Sequence, residues 1–411
     1  MQSIKSSKWY FMAKEENQNR YNTKRAKILL KGIIPSLVGI LLPKKKNRIL
    51  FSSTRNEFYN FNSKYLFEYF IKHYPEMEIK YVINDTAKRQ KLNEQFGVQN
   101  QYFIETETFG GMWYALRAKA WIVSALETPV GGFGLRANRF VYHVGHGAYF
   151  RSAVFIENQL SWKKRLYYHL IKNNFTYHLI TSDTIAQIAP RMFGCSPKRI
   201  VVLGDPMNDA VWEPDVGVIE QHFGKQVLEE NNILYMPTWR QDGSLRLFPF
   251  EEMDWDTLVN FMEENRINIF LRMHPSYEED LSFYTEKSPR LKILDTAKAE
   301  DVNEVIGFFD MVITDYSSGH LGYMLTGKPV MFLPYDYDQY EARMGFVVPY
   351  EDATPGPKPR TLEQFMKETL RLIENAEYGR AERMNAVRLF HNYKENNCKM
   401  NAEFILNKTG N

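Results

Sequence analysis

The 411-residue chain is expected to be an α/β protein with two Rossmann-like, doubly wound domains facing a cleft, preceded by a basic amphipathic N-terminal arm. Three observations predict this. Twelve short apolar runs alternate with amphipathic, helix-patterned segments, as in parallel sheets covered on both faces. Breakers gather near Gly204–Asn231, where Pro206, Pro214 and Gly217 interrupt the periodicity and split the runs into two sets. The length gives each set room for its own core, and 44% hydrophobic with 25% charged residues is ordinary globular composition.

In chain order, the first set of strands is predicted at Arg48–Ser52, Ile79–Asn84, Gln101–Ile104, Ala120–Ser124, Arg139–Val144, Tyr177–Ser182 and Arg199–Leu203. The second set is predicted at Asn232–Met236, Ile267–Met273, Leu291–Leu294, Met311–Thr314 and Val330–Leu333. Three regions follow: an arm over 1–47, a first domain over 48–205, and a second over 206–411 whose end, from Leu362 onward, reads as charged helices. The 15% aromatic content fits bulky cores and a wet–greasy boundary equally well.

The net charge of +3 conceals an asymmetry. Residues 1–48 hold twelve Lys and Arg against Glu15 and Glu16, a balance of +10 that leaves −7 for the remainder. Within this segment Ile28–Leu42 is largely apolar, interrupted by Lys31 and Pro35, and Lys44-Lys45-Lys46 follows. Fifteen residues with Pro35 among them are short for a bilayer span, and no signal-peptide layout precedes them. One reading is a helix lying in the interface of an anionic inner leaflet; the other is a helix packed on the first domain. The basic residues are not spread through the body of the chain, so no nucleic-acid partner is expected.

Ligands of open α/β sheets bind beyond the carboxyl ends of the strands, so residues there are the candidates. His146 lies between Gly145 and Gly147 just after a strand, which suits a general base; a turn histidine serving only its own loop is the other reading. Arg272 and His274 alternate onto one face at the next such end, placed to meet a diphosphate, or else form an edge-strand pair with a core histidine. Thr238 and Arg240 close the strand Asn232–Met236 and can address phosphate, with Trp239 as a wall; Arg240 also reads as a surface residue. Asp315-Tyr316-Ser317-Ser318-Gly319 joins a buried strand to a helix start, where hydroxyls and amides favour an anion. Gly204-Asp205-Pro206-Met207-Asn208-Asp209 marks the junction, as a hinge or as a plain turn.

Several familiar signatures are missing. The chain has no phosphate-binding Gly-x-x-x-x-Gly-Lys-Ser/Thr loop, early Gly-x-Gly-x-x-Gly, His-Glu-x-x-His or nucleophile elbow. No acidic pair stands out as a metal set, and Cys195 and Cys398 offer neither metal spacing nor a disulfide framework. No metal and no cofactor is expected.

Together the motifs resemble the CDP-glycerol glycerophosphotransferase family, enzymes of teichoic acid and related capsule polymers. The resemblance runs from about Arg48 to Pro357 through Phe51 to Asn62-Ser63-Lys64, His146-Gly147, and Phe193-Gly194 leading to Gly204-x-Pro206-x-Asn208-Asp209. It continues through Tyr235-x-Pro237-Thr238-x-Arg240, Arg272-Met273-His274-Pro275, Asp315-Tyr316-Ser317-Ser318, Lys328-Pro329, Gly345-Phe346 and Pro355-Gly356-Pro357. The family usually has Trp-His-Gly-Thr-Pro-Leu-Lys around its histidine; here Gly145, Ala148, Tyr149, Phe150 and Arg151 replace the neighbours, leaving the acceptor open.

The resemblance implies the glycosyltransferase B architecture, an acceptor domain over 48–205 and a donor domain over 206–411. It implies a peripheral enzyme at the cytoplasmic face of the membrane, closer to a primase-sized member than to the large polymerases. The donor would be CDP-glycerol and the acceptor a lipid-linked saccharide or polyol-phosphate chain. His146 would act as base, with His274 also catalytic and Arg240, Thr238, Arg272, Asp315, Ser317 and Ser318 binding the donor. A CDP-ribitol transferase, a nucleotide-sugar glycosyltransferase and a non-catalytic scaffold are the alternatives.

Overall fold

The computed structural model describes residues 25–238, 240, 245–273 and 281–410. Two compact units result. One comprises the chain to Gly147 with Ala153–Met207 and Asn392–Asn411; the other comprises Ala148–Ser152 and Asn208–His391.

The first unit holds seven parallel strands: β1 (Lys45–Ser52), β2 (Glu78–Val82), β3 (Phe103–Ile104), β4 (Ala118–Val123), β5 (Phe140–His143), β6 (Tyr177–Ile180) and β7 (Ile200–Val202). Their order is β3-β2-β1-β4-β5-β6-β7, with Phe51 opposite Ile122 at the centre. The second unit holds β8 (Asn231–Tyr235), β9 (Ile267–Leu271), β10 (Leu291–Ile293), β11 (Met311–Thr314) and β12 (Val330–Phe332), in the order β10-β9-β8-β11-β12. In each sheet the chain winds outward to one side, then restarts beside its first strand. The switch points are therefore β1/β4 and β8/β11.

All twelve expected strands are present among the described residues with shifted ends; most stop earlier, whereas β1 starts three residues earlier, at Lys45. The run Ile267–Met273 pairs only as far as Leu271 because the chain leaves the ladder there, although Met273 remains buried in the loop. Apolarity reports burial, and burial outlasts pairing. The central strands are apolar throughout because both faces are covered: Ile49–Phe51, Trp121–Val123 and Ile233–Leu234 are fully buried.

Much of the aromatic content goes into packing. Tyr81 meets the rings of Tyr59 and Phe67 edge-on at 5.0 and 5.4 Å, within a cluster that also includes Phe51, Phe70 and Phe103. The closing helix, Asn397–Thr409, was expected in the second half of the chain but packs in the first unit. Ala402 and Ile405 join this aromatic core, and the ring of Phe404 lies 5.3 Å from that of Tyr142. Its surroundings are set by residues about 190 to 260 positions away, which chain order does not reveal.

Candidate functional site

At the first switch point three non-glycine residues adopt left-handed backbone within nine positions after β1: Arg55 (φ 59°), Asn56 (φ 57°) and Phe61 (φ 59°). Such strain persists only where its surroundings enforce it, and it concentrates at functional sites. Phe61 opens the helix Phe61–His73, and its ring lies tilted at 5.4 Å from the imidazole of His146. Gly145 (φ 68°) and Gly147 (φ 117°) let the chain double back on either side of His146, which is exposed. Its Nδ1 lies 3.4 Å from the carbonyl of Ser124, the residue following β4.

His143, three residues earlier, points into the interior, where its Nδ1 lies 3.2 Å from Nδ1 of buried His178. Burial holds His143 well below the usual imidazole range and His178 down to about 3, so both are neutral. Within this motif only His146 can exchange a proton with a ligand.

Asn62 and Asp205 stand beside this loop; the sequence puts Asp205 in the junction motif and gives no sign that either residue holds the histidine loop. Asn62 is fully buried and its carboxamide reaches the carbonyls of Val144 and Gly145 and the carboxyl of Asp205. Burial raises the Asp205 carboxyl to about 7, and the hydrogen bond from Asn62 offsets part of that rise.

In the second unit the loops after β8, β11 and β12 close over an ionic cluster. Asp315 accepts from the Thr238 amide at 2.7 Å and the Tyr316 amide at 2.5 Å through Oδ1, and from Arg240 Nη2 at 2.8 Å through Oδ2. Arg240 also donates to Asp336, Nε to Oδ2 at 2.7 Å and Nη2 to Oδ1 at 2.8 Å, and to the Thr238 carbonyl at 2.6 Å. Burial works against its charge, and Asp315 and Asp336 more than restore it, so the guanidinium stays above its ordinary range. Tyr316 donates to Asp336 at 3.0 Å and stacks on Tyr340 at 4.0 Å; Arg151 donates to the Tyr340 hydroxyl at 3.2 Å. The two arginines balance the two carboxylates. Asp336 and Arg151 were not among the expected site residues, because neither lies in a motif that names its partner.

The placement of the expected donor-side residues follows from this cluster. Arg240 is buried, not on the surface, and Asp315 is its scaffold partner. Arg272 donates from Nη1 to the carbonyls of Leu294, Asp295 and Ala299 at 3.1, 2.7 and 2.6 Å and from Nη2 to that of Glu300 at 3.2 Å, so it ties down the loop after β10. A strand-end arginine in a tight loop finds carbonyls before it finds solvent. The helix after Ser318 is only Gly319–Tyr323, and the Gly319 amide turns back to Ser317 Oγ at 3.3 Å, so the expected row of outward amides is shortened. Ser317 and Ser318 are half-buried at this turn, and Thr238 Oγ1 is buried with no hydrogen-bond partner among the described residues. His274 and Trp239 lie outside the described residues.

Among the described residues no group of three or more His, Cys, Asp or Glu can hold a metal, and no helix is long and apolar enough to cross a membrane. A groove of about 1060 Å³ between residues 351–359 and the helices Leu362–Glu374 and Arg380–Phe390 contains none of the expected site residues.

Comparison with known proteins adds the relationship. The family model for CDP-Glycerol:Poly(glycerophosphate) glycerophosphotransferase matches residues 36–403. The chain is 25% identical over 342 residues to the teichoic acid poly(ribitol-phosphate) polymerase of Bacillus spizizenii, covering 79% of this chain and 51% of that protein. It is 25% identical over 330 residues to the teichoic acid glycerol-phosphate transferase of Staphylococcus aureus, covering 76% of this chain and 80% of the relative. The chain spans about half or less of the length of the first curated relatives it matches. A solved structure of the wall teichoic acid polymerase TagF superposes with a TM-score of 0.70 at 20% identity, covering 100% of this chain and 98% of the other, which shows a shared fold. The putative UDP-N-acetylglucosamine 2-epimerase of Listeria monocytogenes shares the fold more distantly, at a TM-score of 0.54, 13% identity and coverage of 89% and 97%. Matched by its family model from residue 36 to residue 403, the chain belongs to the CDP-glycerol:poly(glycerophosphate) glycerophosphotransferase family.

Proposed function

We propose that the chain transfers glycerol phosphate from CDP-glycerol to a hydroxyl of a membrane-linked saccharide or polyol-phosphate acceptor, releasing CMP, in teichoic acid or capsule-type polymer synthesis. The observation that carries this reading is an exposed histidine on a glycine-flanked loop at the carboxyl ends of a parallel sheet, in a chain of this family. His146 takes the acceptor proton as that oxygen attacks the β-phosphorus. The bond from phosphorus to the bridging oxygen breaks, its electron pair leaves on CMP, and a phosphodiester forms. Charge spreads over the phosphoryl oxygens, so positioning and electrostatics do most of the work. On the donor side Thr238, Ser317 and Ser318 offer hydroxyls, Arg240, Asp315 and Arg272 hold the loops that present them, and His274, which lies outside the described residues, is assigned a catalytic role by the family resemblance alone.

Three observations support a peripheral place on an anionic membrane. The helix Ile33–Leu41 buries its small residues, Ser36 and Gly39, and turns Ile34, Leu37 and Leu41 outward at 74, 58 and 86% exposure. A soluble surface helix does the reverse. Phe109 and Trp113 on the helix Phe109–Leu116, and Trp162 and Leu166 on the helix Trp162–Ile171, are further exposed apolar side chains, with Lys163 and Lys164 adjacent. This inverted pattern favours a membrane surface as the working site, and the family resemblance points to its cytoplasmic face.

A donor screen with the purified chain tests the reading. CMP release from CDP-glycerol is expected; UDP or UMP release from nucleotide sugars, with none from CDP-glycerol, would overturn it. CDP-ribitol is the second donor to screen, because a ribitol-phosphate polymerase is among the relatives.

A further inference from the structure

The glycines that free His146 from steric crowding also remove the backbone stiffness that a base needs. An imidazole that must meet an acceptor hydroxyl within a few tenths of an ångström requires rigidity from elsewhere. Asn62, on the first turn of the helix Phe61–His73, supplies it. Its Nδ2 donates to the Val144 carbonyl at 2.7 Å, the Gly145 carbonyl at 3.3 Å and Asp205 Oδ1 at 2.8 Å, while its Oδ1 accepts from the Met207 amide at 3.0 Å. Three acceptors at one end and a donor at the other settle which end of the carboxamide is nitrogen. The next residue, Ser63, donates its amide to Ser124 Oγ at 2.8 Å, and the Ser124 carbonyl is the one facing His146 Nδ1. Two consecutive residues thus grip the backbone just before His146 and the carbonyl beside its ring.

Asp205 is braced in turn. Asn401, on the helix Asn397–Thr409, donates to the Gly204 carbonyl at 2.9 Å and accepts from the Tyr142 hydroxyl at 2.8 Å. A Cβ on Gly204 would collide with the Asn397 amide, so the loop fits the helix only with glycine there. Asp205 is 2% exposed and its Oδ2 has no hydrogen-bond partner among the described residues. A half-satisfied buried carboxyl costs stability, and such costs persist where function needs them.

We propose that Asn62 is a positioning residue for His146, and that Asp205 is the acceptor holding the Asn62 carboxamide in its working orientation. The proposal rests on the reading of His146 as the base. It assigns Asn62 no contact with substrate; its effect passes through the ring.

A kinetic cycle in the full chain tests this. Asn62→Ala is expected to lower kcat for CMP release about 10- to 100-fold while leaving KM for CDP-glycerol within about twofold. In a His146→Ala background the same substitution should cost nothing further, and turnover restored by added imidazole should be equal with and without Asn62. An equal fold-loss in both backgrounds, or wild-type turnover in Asn62→Ala, would overturn the proposal. Asp205→Asn keeps an acceptor for Asn62 and serves as the milder lesion if Asn62→Ala does not fold. In either variant the His146 imidazole NMR signal, identified by its loss in His146→Ala, should shift or split; an unchanged signal sinks the idea. If His146→Ala itself turns over at the wild-type rate, the base assignment fails, and the NMR arm then decides whether Asn62 still holds the ring.

Discussion

In the first unit the loop after β5 leaves His146 exposed, and the Asn62 carboxamide holds it through the carbonyls of Val144 and Gly145. In the second unit the loops after β8, β11 and β12 are locked by Arg240, Asp315 and Asp336, ionic groups almost wholly removed from solvent. Equivalent places in two parallel sheets are therefore built from opposite materials. The loop that carries His146 is held through backbone carbonyls, which leave the ring exposed. Loops that only have to keep their shape can be riveted by charge. Arg240, Asp315 and Arg272, conspicuous in the sequence of the second half, all make hydrogen bonds within their own unit.

Substitutions can break this contrast. His146→Ala should cut CMP release by at least about a thousandfold with donor binding changed only a few-fold, read by single-turnover assay and calorimetry; wild-type turnover would remove the exposed histidine from the chemistry. Arg240→Ala should strand the buried Asp315 carboxylate and leave half-buried Asp336 without its partner, lowering stability by about 3–5 kcal/mol in urea titration. Unchanged stability with lost donor affinity would instead make Arg240 a direct phosphate ligand.

Asp205 sharpens the comparison through pH. Its folded carboxyl titrates near 7 and an unfolded one near 3.8, so between those values the folded state holds the extra proton. The contribution of this carboxyl to stability is therefore fully present at or below about pH 4 and is lost as pH rises through 7, by roughly 2–4 kcal/mol at most. Asp205→Asn should flatten that slope in melting temperature against pH; a slope identical to wild type would show that the carboxyl titrates normally. The smallest effect on folding is expected from Leu37→Glu, within about 0.5 kcal/mol because the side chain is already exposed. The same change should reduce sedimentation with anionic vesicles, and undiminished pelleting would remove this helix from the membrane face.

The alternation of apolar runs determined both sheets, strand by strand, because burial on two faces imprints itself locally on the chain. The exposed histidine was legible for the same reason: Gly145 and Gly147 announce a turn at a strand end. Partnership was not legible. Whether Arg272 meets a ligand or four carbonyls, whether Arg240 lies on the surface or between Asp315 and Asp336, and what Asn62 holds depend on loops brought together from 22 to 145 positions apart. The helix Asn397–Thr409 likewise carries no mark of its place against Gly204 and Tyr142. Periodicity is a property of neighbours in the chain, whereas a hydrogen bond between loops is decided only when the sheets fold and bring their ends together.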